Sequence, residues 1–253
     1  MQYSVKLKET IRSRFDNASR SYEQAASVQK ECAIILTRLL LDNFDNFDPK
    51  NIFDIGTGTG YLPEILLPRY PEASYILNDI SPNMLEVAKE KFAGRENFSY
   101  IGADVEESAI SKYCLIISNF SLQWIYNFEK LIKNLFSKSK ILAFTCLLDN
   151  SFNEWDKRLQ AYGLSGVIKK YPTKDYMLNF LQKLEPYKLY TETQNFSLTF
   201  KCPIDLMRYL KKIGAGTPAA APDLIKFRRF VEKDREHCVL NYEVMFILAE
   251  NNV

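Results

Sequence analysis

The stretch Asp54-Ile55-Gly56-Thr57-Gly58-Thr59-Gly60 constrains this chain more than any other. An apolar run, Ile52-Phe53-Asp54-Ile55, leads into glycines at alternate positions. That order reads as a buried strand, a tight turn and the start of a helix. Glycine tolerates positive φ and carries no Cβ, so such a turn lets a ligand approach the backbone closely. The spacing is G-x-G-x-G, not the G-x-G-x-x-G of dinucleotide enzymes. Tyr61 stands where their third glycine falls. Asp54, just before the turn, points to a ligand that is positively charged or rich in hydroxyl groups.

The surrounding pattern supplies a sheet for this turn. Strands are predicted at 52–55, 74–79, 98–101, 114–118 and 140–146, with helices near 60–68, 82–92 and 127–137. Ser81-Pro82 opens one helix with an N-cap serine and a proline in the first turn. Alternation of this kind argues for a parallel sheet with helices on both faces. A helical segment over about 6 to 42 precedes it and ends before Asp48-Pro49. Beyond Cys146 the rhythm changes to helices at 151–165 and 173–184, then Leu189–Phe200 with a strand-like tail. A helix at 203–213, a Gly/Ala/Pro-rich stretch at 214–222, a basic helix and a final strand, Val239–Ala249, complete the chain. The expected organisation is one domain: N-terminal helices 1–48, a ligand-binding core 49–147, a helical cap 148–186 and C-terminal strands with inserted helices 187–253. The cap is expected over the carboxyl ends of the parallel strands, where ligands bind in open α/β sheets.

Composition narrows the chemistry. A net charge of +2 gives no argument for nucleic acid. No apolar run approaches a membrane span, and the N-terminus lacks a signal-peptide core, so a cytoplasmic protein is expected. The five cysteines lack C-x-x-C spacing and read as reduced thiols. The single histidine, His237, falls in a charged run that reads as a solvated helix. One histidine argues against His-based metal sites and a Ser-His-Asp triad, so no metal is expected.

Several polar residues fall at strand ends beside the expected crevice. Asp79 ends the second strand, where a carboxylate accepts hydrogen bonds from paired ribose hydroxyls. Asp104 follows the third strand and reads either as a ligand to an amino group or as a turn cap. Ser118-Asn119 ends the fourth strand, and Trp124 either walls the pocket or belongs to the core. Tyr22 either closes over a ligand or lies in a helix packed on the sheet edge. Arg208 is a surface arginine unless its helix lines the cleft, where it would hold a carboxylate in a bidentate fork.

Taken together, these segments resemble the class I S-adenosylmethionine-dependent methyltransferases. More narrowly, they resemble the malonyl-acyl-carrier-protein O-methyltransferase family of biotin synthesis. The likeness is carried by Ser21-Tyr22-Glu23-Gln24-Ala25-Ala26-Ser27-Val28-Gln29, the glycine turn, Asp79-Ile80-Ser81-Pro82, Asp104-Val105-Glu106, Ser118-Asn119-Phe120-Ser121-Leu122-Gln123-Trp124 and Met207-Arg208-Tyr209-Leu210-Lys211-Lys212-Ile213-Gly214-Ala215. It implies a Rossmann-like, mostly parallel sheet with an antiparallel last strand. It also implies S-adenosylmethionine as cofactor, S-adenosylhomocysteine as product, and methyl transfer to the free carboxylate of malonyl-acyl-carrier protein. By the same resemblance, Asp54, Gly56, Gly58 and Gly60 hold the methionine end, Asp79 the ribose, Asp104 the adenine, and Ser118 and Asn119 the amino group, with Ile80 and Val105 also binding the cofactor. Tyr22 would close the transfer pocket, Arg208 would grip the acceptor carboxylate, and Trp124, Lys211, Lys212, Arg228 and Arg229 would receive the carrier protein. The alternatives are a small-molecule carboxyl methyltransferase of the same fold, or a non-catalytic cofactor-binding scaffold.

Overall fold

A computed structural model describes residues 2–164, 171–215 and 224–252. Seven strands form one sheet in the order β3-β2-β1-β4-β5-β7-β6. They are β1 (Asn51–Ile55), β2 (Ser74–Asp79), β3 (Phe98–Gly102), β4 (Tyr113–Ser118), β5 (Ser139–Leu147), β6 (Lys188–Phe200) and β7 (Cys238–Glu250). The first five pair in parallel, while β7 runs antiparallel to both β5 and β6. The α/β alternation is the one the sequence pattern predicts, and the antiparallel last strand is the one the resemblance implies. Strand order reverses between β1 and β4, and the Ser118 hydroxyl donates across that gap to the Ile55 carbonyl (2.8 Å). The crevice at such a reversal is where α/β sheets bind ligands.

Alternation along the strands builds two cores. Ile52, Tyr75, Leu77, Leu115, Ile117 and Ile141 share one face with α2 (Ser27–Asn43), α3 (Tyr61–Leu66) and α4 (Pro82–Lys91). Phe53, Ile55, Ile116, Leu142 and Phe144 share the other with α5 (Phe128–Ser137). The segment 148–186 divides between these faces: α6 (Asn153–Ala161) sends Trp155 and Leu159 to the first, α7 (Lys174–Gln182) sends Met177, Phe180 and Leu181 to the second. Residues 165–170 within it lie outside the described residues, as do 216–222 of the Gly/Ala/Pro-rich stretch.

The N-terminal helical segment is two helices. α1 (Gln2–Ala25) and α2 meet at Ala26, which is fully buried and has ψ near 51°. The bend lets α2 pack on the sheet while α1 runs against α4 and α8 (Pro203–Lys212). Ser81 caps α4 by accepting the Met84 N–H (3.2 Å), with Pro82 in the first turn, a cap worth about 1 kcal/mol. Asp16 of α1 ties into the same cap, its Oδ1 accepting from the Ser81 hydroxyl (2.6 Å) and the Asn83 N–H (3.2 Å). α9 (Leu224–Lys233) ends before His237, so the charged run around that exposed histidine is not helical throughout. There Asp234, 8 % exposed, is held by Arg158 of α6, whose Nε donates at 2.7 Å. No described helix is long and apolar enough to cross a membrane.

Candidate active site

The glycine turn leaves β1 with Gly56, Gly58 and Gly60 all at positive φ. A side chain at Gly56 would collide with Ser121, whose Oγ lies 2.0 Å from the ideal Cβ position. At Gly58, φ is +56° and the space beside it is open, so the backbone itself forms a wall of the cleft. The Gly58 N–H donates to Asp79 Oδ2 and the Ser81 N–H to Oδ1, both at 2.8 Å. Asp79 is thus locked by two backbone donors at the tip of β2, with its remaining lone pairs toward the cleft it lines. Burial pushes its pKa up to about 6 despite those donors, which pull it down.

Asp54 stands one layer deeper, 1 % exposed, and neither of its carboxylate oxygens has a hydrogen bond of ordinary geometry. Burial pushes its pKa up to about 7; the Thr57 hydroxyl works against that rise and the Asp79 carboxylate adds to it. A buried carboxylate without partners is unfavourable unless a donor or cation arrives.

The cleft extends from the turn past Asp79 and Ile80 to Ala103, Asp104 and Val105. Asn78 also borders it, although strand alternation places neighbours on opposite faces; β2 ends here, and its amide donates to the Ile101 (3.1 Å) and Ala103 (2.8 Å) carbonyls. α1 covers the cleft with Lys8, Ile11, Phe15 and Tyr22. Lys8 pairs with Asp104 and, at 2.7 Å, with Glu106. Glu106 in turn accepts the Tyr126 (3.1 Å) and Asn127 (2.7 Å) N–H groups. Tyr22 is half-buried, and desolvation raises its pKa above the ordinary phenol value.

A second, larger cavity adjoins the first and shares Lys8, Ile11, Phe120, Trp124 and Ile125 with it. Its other walls are mainly apolar and aromatic, among them Leu147, Phe152, Tyr171, Leu210, Ile213 and Tyr242. Trp124 stands between the two with its indole N–H buried and unpartnered, its ring edge-on to Phe15 at 5.8 Å. Asn119 borders the cleft and is fixed by donating to the Gln29 carbonyl (2.8 Å) and accepting from Thr145 (3.1 Å).

The structure therefore gathers Tyr22, Gly56, Gly58, Asp79, Ile80, Asp104, Val105, Asn119 and Trp124 around one space. Asp54, Gly60 and Ser118 support its wall from behind. Arg208 is not with them: its side chain is 71 % exposed and pairs with Asp205 one turn back on α8 (3.1 Å). The reason is helical phase, since Leu206, Leu210 and Ile213 face inward and leave Arg208 on the far side. Lys211, Lys212, Arg228 and Arg229 are exposed on α8 and α9, with Arg228 paired to Glu232 (2.8 Å). Lys8, Asn78 and Gln29 also border the cavities, and the sequence pattern does not single them out. Gln29 closes the Ser21–Gln29 segment, which is a usable signal; Lys8 and Asn78 carry none.

Residues 52–140 match the methyltransferase domain family. A malonyl-[acyl-carrier protein] O-methyltransferase of Marinomonas sp. is 30 % identical over 267 residues, covering 98 % of this chain and 95 % of that protein. The chain belongs to this family. A second member, from Neorickettsia risticii, is 29 % identical and covers 94 % of each chain. A magnesium protoporphyrin IX methyltransferase of Synechocystis, solved with S-adenosylhomocysteine, matches the fold with a TM-score of 0.61 at 14 % identity, over 97 % of this chain and all of that one. The cofactor of this methyltransferase family is S-adenosylmethionine, and the residues present suit it. The orphaned Asp54 carboxylate lacks the cation that an amino-acid ammonium supplies, and the open space at Gly58 lies beside the anchored Asp79.

Proposed function

We propose that this methyltransferase transfers a methyl group from S-adenosylmethionine to the free carboxylate of a malonyl unit carried on acyl-carrier protein. The observation that carries this reading is the pair of adjoining cavities with a common wall at Phe120 and Trp124. One cavity is polar at its ends and fits the cofactor. The other is apolar and fits an acyl thioester, and the family's named acceptor is malonyl-[acyl-carrier protein].

Asp54 and the glycine turn hold the methionine end, Asp79 the ribose, and Asp104 the adenine once Lys8 yields or shares its oxygen. α1 lies across the cleft and excludes water, with Tyr22 pressed against the transfer point. Holding reactants in line in this way recovers roughly 7–11 kcal/mol of a barrier. A carboxylate has an ordinary pKa of about 4, so the acceptor is already ionised and needs no general base. S-adenosylmethionine held by these residues would supply an electrophilic methyl group whose sulfur–carbon bond pair stays with sulfur as the carboxylate oxygen takes the carbon, so the residues around it would need to move no proton. Arg208, facing solvent, serves with Lys211, Lys212, Arg228 and Arg229 to attract an acidic carrier protein rather than to grip the reacting carboxylate.

The test is to mix the protein with S-adenosylmethionine and malonyl-carrier protein and weigh the product. A gain of one methyl group, removed by alkaline ester hydrolysis, is expected. Transfer to free malonate as fast as to the carrier-bound unit would favour a small-molecule enzyme instead.

A further inference from the structure

Gln29 is 7 % exposed, lines the second cavity, and its Oε1 is buried without a donor. Its amide end reaches the Tyr209 hydroxyl, which also lies 3.3 Å from the Tyr242 hydroxyl. Tyr242 lines the same cavity, 2 % exposed. The Gln29 backbone carbonyl accepts from Asn119, which borders the cofactor cleft, so Gln29 stands at the junction of the two spaces. Among the described residues lining either cavity the one cation is Lys8, and Asp104 and Glu106 hold it.

We infer that the Gln29 amide is the donor that receives the acceptor carboxylate, with Tyr209 and Tyr242 as positioning residues that set its orientation. This rests on the carboxyl methyl-transfer reading above. In its present orientation the amide offers an oxygen that finds no partner. Turned by half a rotation, it presents two N–H donors instead, while Oε1 accepts the proton of Tyr209. The oxygen then has a donor, and the two N–H groups face the cavity for a carboxylate. Burial raises the pKa of both tyrosines, so their protons stay available at neutral pH.

A neutral donor suits this reaction better than a guanidinium. An arginine would hold the carboxylate through charge and draw electron density from the attacking oxygen. An amide orients the carboxylate and leaves the cofactor's positive charge as its counter-ion. After transfer the ester is neutral and the amide loses its anionic acceptor, so the product is held less firmly than the substrate.

The experiment compares binding of malonyl-carrier protein and its methyl ester to the full chain, with a non-reactive cationic cofactor analogue present. The unaltered protein is expected to prefer the malonyl form by about tenfold or more. Gln29→Met keeps the length and apolar bulk but removes the donors, and the preference should fall to within about twofold while analogue affinity holds. Tyr209→Phe releases the amide and should lower the preference about threefold. A merely structural role would weaken both forms equally and leave the ratio unchanged. An unchanged ratio in both variants, or in Tyr209→Phe alone should Gln29→Met fail to fold, overturns the inference. If the unaltered protein methylates no malonyl-carrier protein, the function itself is wrong and the inference falls with it. Transfer by that protein with unchanged ratios in the variants overturns the inference alone.

Discussion

Replacing Asp54 by asparagine separates binding from stability in this cleft. The carboxylate is 1 % exposed, has no well-formed hydrogen bond, and has a native pKa of about 7 against an ordinary value near 3.8. Between those two pH values the native state holds a proton that the unfolded state has released. Stability therefore falls as pH rises from about 4 to about 7 and levels off above. A rise of this size corresponds to something on the order of 4 kcal/mol at neutral pH, taken in full. Asparagine has nearly the same shape and no charge, so Asp54→Asn should stabilise the ligand-free protein by roughly 1–3 kcal/mol near pH 7.5, allowing for the amide's own unmet hydrogen bonds. On the proposed role of Asp54 as partner of the cofactor's ammonium, the same change should weaken cofactor binding by about a hundredfold. Urea unfolding at pH 5, 6, 7 and 8 with calorimetric titration of the cofactor measures both. The gain in stability should shrink toward pH 5, where the native carboxylate is already protonated. A variant that is less stable than the parent at pH 7.5, with an unaltered pH profile, would refute the reasoning.

Cofactor affinity in the parent should drop as pH falls through about 7 to 6, because Asp54 and Asp79 must both be ionised; titration in buffers of different ionisation heat should detect proton release on binding near pH 6.5. Gly58→Ala places a Cβ at φ +56° and is expected to lose about 1–2 kcal/mol of stability and most cofactor binding, read by thermal unfolding with and without cofactor. Arg208→Ala, at an exposed position with one surface ion pair, should alter stability by less than about 0.5 kcal/mol and leave kcat at saturating carrier protein within about threefold. Reversing Lys211, Lys212, Arg228 and Arg229 to glutamate should lower kcat/KM for the carrier protein about tenfold at low salt, with the difference closing as salt is added.

What the sequence makes legible is what is encoded locally. The run from Ile52 to Gly60 sets strand, turn and helix within one segment, and Asp79 and Asp104 follow as strand-end acids, so the wall of the first cleft can be laid out from residue order alone. The bend at Ala26 is hidden because neither glycine nor proline marks it; a buried alanine allows close packing without a sequence signature. The first half of β6 is hidden too, since an edge strand half-buried on both faces, with Leu189 toward one core and Tyr190 toward the other, need not alternate. The direction of Arg208 is written in the Leu206, Leu210 and Ile213 stripe, whose helical phase outweighs the motif that surrounds it. The roles of Lys8, Asn78 and the Gln29–Tyr209–Tyr242 chain depend on residues far apart in sequence, whose approach is set by α1 and α8 packing over the sheet.

The β6–β7 ladder pairs without interruption from Lys188 with Glu250 to Phe200 with Cys238. The inserted residues 201–237 therefore depart from and return to neighbouring points on one rung. Such an insertion can lengthen, shorten or exchange its helices without shifting the register of any strand. The glycine turn sits on strands at the other side of that ladder, so rewriting this appendage would reshape only the part of the second cavity that Leu210, Ile213 and Ala215 line.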